Sequence, residues 1–446
     1  MKASSPDVPP SSSSGSAAPT LAPARPPFHL LPVITIAQLL STSLWFAVNG
    51  VLPDLQRSLG LAESALAWLT SAIQFGFIVG TLCFSLLMIA DRFSMRWVFF
   101  LCAVLGATFN AAAVLLPSMS ITELTVLGSS SALAQGNSNS AFSALMMLRF
   151  ATGFCLAGIY PIGMKLASSW YNKGLGAALG FLVGALVVGT ALPHLLRALG
   201  ATWPWQEVMI VTSCLAVLGG VMILLFAPDG PYLVRGVRVS PRALIAIVRD
   251  PKVRASAFGY FGHMWELYAF LVLTPVMIAA YLNTGISRAV SMLSFIVIAA
   301  GGVGCVLGGF AARRIGSAKV AALLLASSGL CALMSPWMLE VPWWLFTVWL
   351  LFWGTTVSAD SPQFSTLTAH NAPRDVVGSV LTFVNCIGFS ISIVSIQWLT
   401  ELSLKFSPWP VLPILAIGPI LGLLAMRPLL TSPTSFAATP GSSPRP

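Results

Sequence analysis

Three residues that carry charge at neutral pH lie deep inside long apolar stretches: Arg149, Glu266 and Asp360. Glu266 stands in Gly259-Tyr-Phe-Gly-His-Met-Trp-Glu-Leu-Tyr268, within an apolar run from Ala255 to Leu282. His263 precedes it by one helical turn, so both project from one face. Glu266 lies twelve residues beyond Arg254, roughly 18 Å at helical rise and near the middle of a hydrocarbon core about 30 Å thick. A charged group at that depth costs about 2.5 to 3.5 kcal/mol on insertion scales, and such residues mark ion and proton paths. Glu266 is therefore read as a proton-coupling group, with His263 as its relay or support; the alternative is a structural hydrogen bond between helices.

Asp360 heads the sequence Asp-Ser-Pro-Gln363. Pro362 lacks a backbone donor and should free the carbonyl of Ser358, while Asp360 and Gln363 share a helical face. The pair suits substrate binding or a second protonation site; alternatively, Asp360 neutralises a neighbouring cation and locks one conformation. Arg149 could balance either acid, hold an anionic group with its planar fork, or snorkel to the interface. Trp45 and Asn49, Tyr160 and Tyr268 complete the candidate substrate-binding set, with Gln38 and Asn385 as further polar groups in apolar runs. Each can equally serve packing or interhelical hydrogen bonding.

The elements that must position these groups are membrane helices. Of the 446 residues 57% are hydrophobic and only 8% charged, against about 25% charged in soluble domains. The mean hydropathy is +0.87. Twelve apolar runs lie near 30–52, 64–90, 97–117, 143–166, 175–199, 206–227, 255–282, 288–312, 318–339, 342–369, 375–400 and 408–430, each close to the length of a spanning helix. Residues 1–27 and 431–446 are rich in Pro, Ser and Ala and are expected to be disordered tails. The first apolar run has no cleavage-like end and reads as a span, not a signal peptide. Seven cysteines in apolar runs, odd in number and without a Cys-x-x-Cys, suggest neither disulfides nor a metal site.

Charge sets the orientation. With the first segment inside, eighteen of the 23 Lys and Arg fall in inner segments, four in outer ones, and Arg149 within a span. This bias places both termini in the cytoplasm. It also accounts for the net charge of +10 without a nucleic-acid partner, since cations beside anionic lipid are topology signals. The basic stretch 229–254 divides the runs into a bundle over 28–228 and another over 255–430.

The halves share a trace of repetition. Asp91-Arg-Phe-Ser-Met-Arg96 follows run two, and Gly308-Gly-Phe-Ala-Ala-Arg-Arg314 follows run eight, about half the chain later. Asp91, Arg92 and Arg96, with Arg313 and Arg314, read as a conformational latch whose charges exchange partners between states.

On these features the chain resembles the major facilitator superfamily over about 28–430. The family's loop signature is a Gly, three residues, an Asp, a basic residue, any residue, a Gly and further basic residues. Here the first copy keeps Asp91, Arg92 and Arg96 but has Leu87 and Ser94 for the glycines; the second keeps Gly309, Arg314 and Gly316 but has Arg313 for the Asp. Arg149 followed by Gly153 is similar to the fourth-helix pattern. The segments around Leu44–Gln56, Gly262–Tyr268 and Ala359–Ser365 resemble bacterial members grouped with nitrate/nitrite porters. Those porters hold the anion with an Arg inside helices two and eight. Run two has no Arg before Arg92, and run eight has only the outer Arg288 before Arg313, so nitrate is not the expected cargo.

The resemblance implies an all-α membrane protein of twelve transmembrane helices, two six-helix pseudo-repeats around a central cavity lined by helices one, four, seven and ten. It implies a monomeric inner-membrane secondary transporter with alternating access and no cofactor. Proton-coupled uptake of a small polar metabolite or organic ion is the leading expectation. A proton-independent facilitator, exchanger or exporter is the alternative, and a non-transporting receptor is a weaker one. There is no His-Glu-x-x-His, Gly-x-Ser-x-Gly or nucleotide loop, so an enzyme is not expected.

Overall fold

The computed structural model describes residues 26–116, 132–171, 175–200, 202–233 and 240–431. The expected terminal tails, most of the segment between runs three and four, and Arg235 and Arg238 of the linker lie outside the described residues.

Among the described residues, eleven helices are long and apolar enough to cross a membrane: Leu30–Leu59, Ala65–Leu86, Met95–Leu115, Ser138–Ser168, Leu175–Leu199, Trp205–Phe226, Pro251–Leu282, Arg288–Ile315, Ser317–Leu339, Val377–Lys405 and Pro408–Thr431. The twelfth is divided. Trp343–Ala359 and Ser361–Asn371 are helices joined at Asp360, and neither piece alone reaches spanning length. Counted in chain order these are spans 1 to 12, the divided helix being span 10.

Two further spans are interrupted. Span 1 breaks between Thr42 and Ala47, and span 4 between Leu156 and Tyr160. Spans 4 and 10, each the fourth of its half, break at comparable depth, which fits the two-fold repeat. Span 7 runs unbroken from Pro251 to Leu282. Asp250 caps it by accepting from the amides of Lys252 and Val253. Asn283 closes it in the left-handed region.

Lipid supplies no hydrophobic drive between helices, so small residues and polar contacts must hold the halves together. On one side spans 5 and 8 pack through glycines: a Cβ on Gly184 would lie 2.7 Å from the Gly302 carbonyl oxygen. On the other side spans 2 and 11 meet through hydroxyl and amide groups. Gln397 donates to Ser71 at 2.8 Å, Ser392 to Gln74 at 3.2 Å, and Ser85 and Thr382 share a 3.4 Å contact. These two seams bound a central axis on which the broken spans converge.

Candidate functional site

Glu266 is 1% exposed, yet neither carboxylate oxygen lacks a donor. Trp353 Nε1 of span 10 donates to Oε1 at 2.8 Å, and Ser328 Oγ of span 9 donates to Oε2 at 2.7 Å. Both donors are neutral. They satisfy the hydrogen bonding of the buried group without compensating a charge, so a negative Glu266 would stay electrostatically exposed to protein interior.

His263 points from the same face of span 7 to the break in span 10. Its Nδ1 lies 2.8 Å from Asp360 Oδ1, and the side chains are 1% and 0% exposed. No described side chain other than His263 reaches the Asp360 oxygens, and His263 Nε2 is buried without a partner. A break that interrupts a helix, an acid at its joint and an imidazole with one free nitrogen form a group that can accept or release a proton. The Ser358 carbonyl, which the sequence suggested Pro362 would free, is not left open: it accepts from the Asp360 amide and from Cys305 Sγ at 3.2 Å.

Arg149 does not snorkel. It is 1% exposed and clasps the break in span 1, donating through Nη1 to the Leu44 carbonyl at 3.0 Å and through Nη2 to the Trp45 carbonyl. Asn110 Oδ1 accepts a third bond at 3.4 Å. Arg149 forms no ion pair with Glu266 or Asp360. The break arises where Thr42 and Ser43 turn their hydroxyls back onto carbonyls, Thr42 donating to Gln38 O at 2.8 Å and Ser43 to Leu40 O at 2.7 Å, a known source of helix bending.

The clasp carries Trp45 into an aromatic cluster that crosses the halves. Its ring lies 4.9 Å from Phe77, 5.5 Å from Phe389 and 5.9 Å from Tyr268, centroid to centroid. Trp45 Nε1 is buried without a partner. Beside this cluster is a central cavity of about 30 Å³, room for one or two waters. Tyr160, Thr190, Tyr260, Tyr268, Ser361 and Asn385 supply its polar groups, and no charged side chain among the described residues lines it. Tyr260 donates to Asn385 Oδ1 at 3.0 Å and has His263 behind it, the rings 5.8 Å apart. The His263–Asp360 pair thus stands directly behind the wall formed by Tyr260 and Ser361.

A second cavity of about 340 Å³ lies at the end of the bundle away from the basic linker, with Asn49, Gln56, Glu63, His194, Thr400 and Ser403 among its lining. Leu271 borders both cavities and marks where one leads toward the other. Asn49 lines this vestibule while donating to Thr70 Oγ1 at 2.8 Å.

The structure therefore divides the candidate residues. Tyr160 and Tyr268 reach the central cavity, Asn49 the vestibule, and Trp45 the aromatic cluster. His263 and Asp360 come together, but Glu266, Arg149 and Gln363 are buried outside both linings. Of the latch, Asp91 pairs with Lys165 at the end of span 4. Arg92, Arg96 and Arg314 are exposed, and Arg313 lies 5.2 Å over the Phe310 ring. Tyr260, Thr190, Ser361, Trp353 and Ser328 were not among the candidates. Only Trp353 carried a signal, as an indole N–H in an apolar run needs an acceptor. Among the described residues no group of His, Cys, Asp and Glu is placed to hold a metal ion.

Comparison with known proteins accords with this architecture. Residues 34–396 match the Major Facilitator Superfamily. No curated protein matches the sequence significantly. Among solved structures, the human organic anion transporter MFSD10 (TETRAN) aligns at TM-score 0.65 and 13% identity, over 90% of this chain and 100% of its own. The proton:xylose symporter XylE, bound to 6-bromo-6-deoxy-D-glucose, aligns at TM-score 0.68 and 14% identity, over 90% and 95%. At such identities the likeness is one of fold, while the family match extends over most of the chain. This multi-pass membrane protein belongs to the major facilitator superfamily and is a transporter, not an enzyme.

Proposed function

We propose that the protein is a proton-coupled secondary transporter that takes up a small, neutral, polar solute. The observation that carries this is the separation of charge from cavity. The central cavity offers hydroxyls, an amide and aromatic faces, whereas Glu266, His263 and Asp360 are buried behind its wall. A charged solute entering that cavity would lose its hydration without meeting a counter-charge. A neutral one could exchange water for the hydroxyls of Tyr160 and Tyr268 and the amide of Asn385. One structural neighbour carries a sugar with protons and the other an organic anion; the uncharged lining favours a cargo of the first kind.

In this reading protons bind at Glu266 and at the His263–Asp360 pair. The substrate touches Tyr260 and Ser361, the residues that separate the pair from the cavity, so solute occupancy and protonation bear on the same joint of span 10. With both termini cytoplasmic, as the distribution of cations favours, the vestibule faces outward and the conformation is open toward the outside. The chain would act as a monomer in the inner membrane, in the bacterial branch grouped with nitrate/nitrite porters but with a different cargo.

The test uses the full-length protein in proteoliposomes. Uptake of a panel of sugars, polyols, amides and their carboxylate and amine analogues is measured with and without an inward proton gradient. Accumulation of a neutral solute that collapses with a protonophore supports the proposal. Gradient-independent equilibration would make the protein a facilitator, and preferential uptake of a charged analogue would remove the neutral-cargo reading.

A further inference from the structure

Between spans 6 and 7 lies the helix Arg242–Arg249, sequence Arg-Ala-Leu-Ile-Ala-Ile-Val-Arg. Six of its eight residues are apolar, too many for a helix in water. One face accounts for part of them: Ala243 and Ile247 are buried where the helix packs on spans 7 and 11, and Ser240 N donates to Ser379 Oγ of span 11 at 3.0 Å. The other face is bare. Leu244, Ile245 and Val248, which share a face at spacings of three and four, are 42, 54 and 62% exposed.

That bare stripe is framed by cations. Arg242, Arg249, Lys252 and Arg254 are all exposed, and none forms an ion pair with a described carboxylate. The nearest acid, Asp250, is spent on the amides at the start of span 7. Arg254 donates to the Val248 carbonyl at 3.0 Å, closing the helix end onto the span. One residue, Asp250, separates the helix from span 7, so it lies level with the point at which that span enters the bilayer. An apolar stripe at this depth, bordered by unpaired cations, has the chemistry of an interfacial helix.

We propose that the helix Arg242–Arg249, with Lys252 and Arg254, is a binding surface for anionic phospholipid. Leu244, Ile245 and Val248 enter the acyl boundary while Arg242, Arg249 and Lys252 hold headgroup phosphates. Because the same helix is fastened to spans 7 and 11, lipid bound there steadies the half of the molecule that contains His263, Glu266 and Asp360. The surface does not depend on the identity of the cargo or on proton coupling.

Full-length protein in detergent is titrated with phosphatidylglycerol and, separately, with phosphatidylcholine, and retained lipid is counted by native mass spectrometry. Amide exchange over residues 240–250 is followed in vesicles of each lipid. Wild type is expected to retain the anionic lipid preferentially and to show greater protection in its vesicles, with both effects shrinking as salt is added. In the Arg242→Gln, Arg249→Gln, Lys252→Gln variant the preference should fall by roughly fivefold for each cation removed. Leu244→Asn with Val248→Asn should lower protection in both lipids, separating the apolar contribution from the charged one. Equal retention of the two lipids, or a preference unchanged in the triple variant, overturns the proposal. Protection that rises with protein concentration instead of with anionic lipid would make the face an interface between copies and overturn it as well.

Discussion

His263 Nδ1 and Asp360 Oδ1 stand 2.8 Å apart with both side chains sealed from solvent, at the joint where span 10 changes from one helix to the next. Removing one member of such a buried pair strands the other. His263→Ala should therefore cost about 3 to 5 kcal/mol, read as a lowered thermal unfolding temperature in detergent. Asp360→Asn, which deletes the charge and keeps the shape, should cost less. The two changes together should cost less than their sum, because neither then leaves an unpaired partner. Additive losses would mean that the 2.8 Å contact carries no coupling.

Glu266→Gln keeps an oxygen for one of its two donors and removes the titrating group. The folded protein should persist, with a penalty of about 1 to 3 kcal/mol, because one of the donors Trp353 and Ser328 must now face an amide NH2. Transport should change in kind. If protonated carrier is the form that crosses loaded, wild-type uptake rises as external pH falls, since lower pH fills the site from outside. In the variant the profile should flatten and accumulation against a gradient should vanish, while exchange of labelled for unlabelled solute continues. A variant whose uptake keeps the wild-type pH dependence would reduce Glu266 to an interhelical tie.

Much of this arrangement could be foreseen, and the remainder had physical reasons for staying hidden. The spans were legible because a bilayer demands about 20 apolar residues per crossing, whereas the joint at Asp360 was not, since the run 342–369 reads as continuous by hydropathy. Nor were the partners of Glu266. Ser328 and Trp353 lie 62 and 87 residues away, and hydropathy does not say which face of one span meets which face of another. The role of Arg149 was hidden more deeply. A lone buried cation suggests a carboxylate, but the acceptors are main-chain carbonyls of Leu44 and Trp45, available only because span 1 breaks where there is neither Gly nor Pro.

Arg149 accordingly yields a prediction about folding. Arg149→Met leaves the two carbonyls of Leu44 and Trp45 and the Asn110 oxygen without their donor, at a cost of about 2 to 4 kcal/mol. Arg149→Lys should recover only part of it, since an ammonium cannot reproduce the planar fork that reaches both carbonyls. Trp45 rides on this break, so both variants should also loosen the aromatic cluster with Phe77 and Phe389, seen as changed accessibility of Trp45 to a collisional quencher when compared with a Trp45→Phe control. Equal stability of the Lys variant and wild type would show that charge alone, and not the geometry of the fork, holds the break.

The last prediction concerns the seam that lets the halves move. Gly184 and Gly302 oppose each other across spans 5 and 8, and a Cβ added to either would come within 2.8 Å of the other's carbonyl oxygen. At Gly184 no side chain tip can yield, because the obstacle is main chain; at Gly302 the Val188 side chain also lies 2.5 Å from the added Cβ. Gly184→Ala should therefore force the spans apart at a cost of about 1 to 3 kcal/mol, and Gly184→Leu should prevent their approach altogether. The opposite seam, between spans 2 and 11, is made of hydroxyl and amide contacts, which can be exchanged for water at small cost as the halves separate. If the glycine seam is where one half rocks on the other, Gly184→Leu should abolish transport while the helix content of each half persists. Ser71→Ala, on the polar seam, should alter the rate only modestly. Were Gly184→Leu to transport normally, the close backbone approach of spans 5 and 8 would be a packing detail, and the motion would have to turn on the polar seam instead.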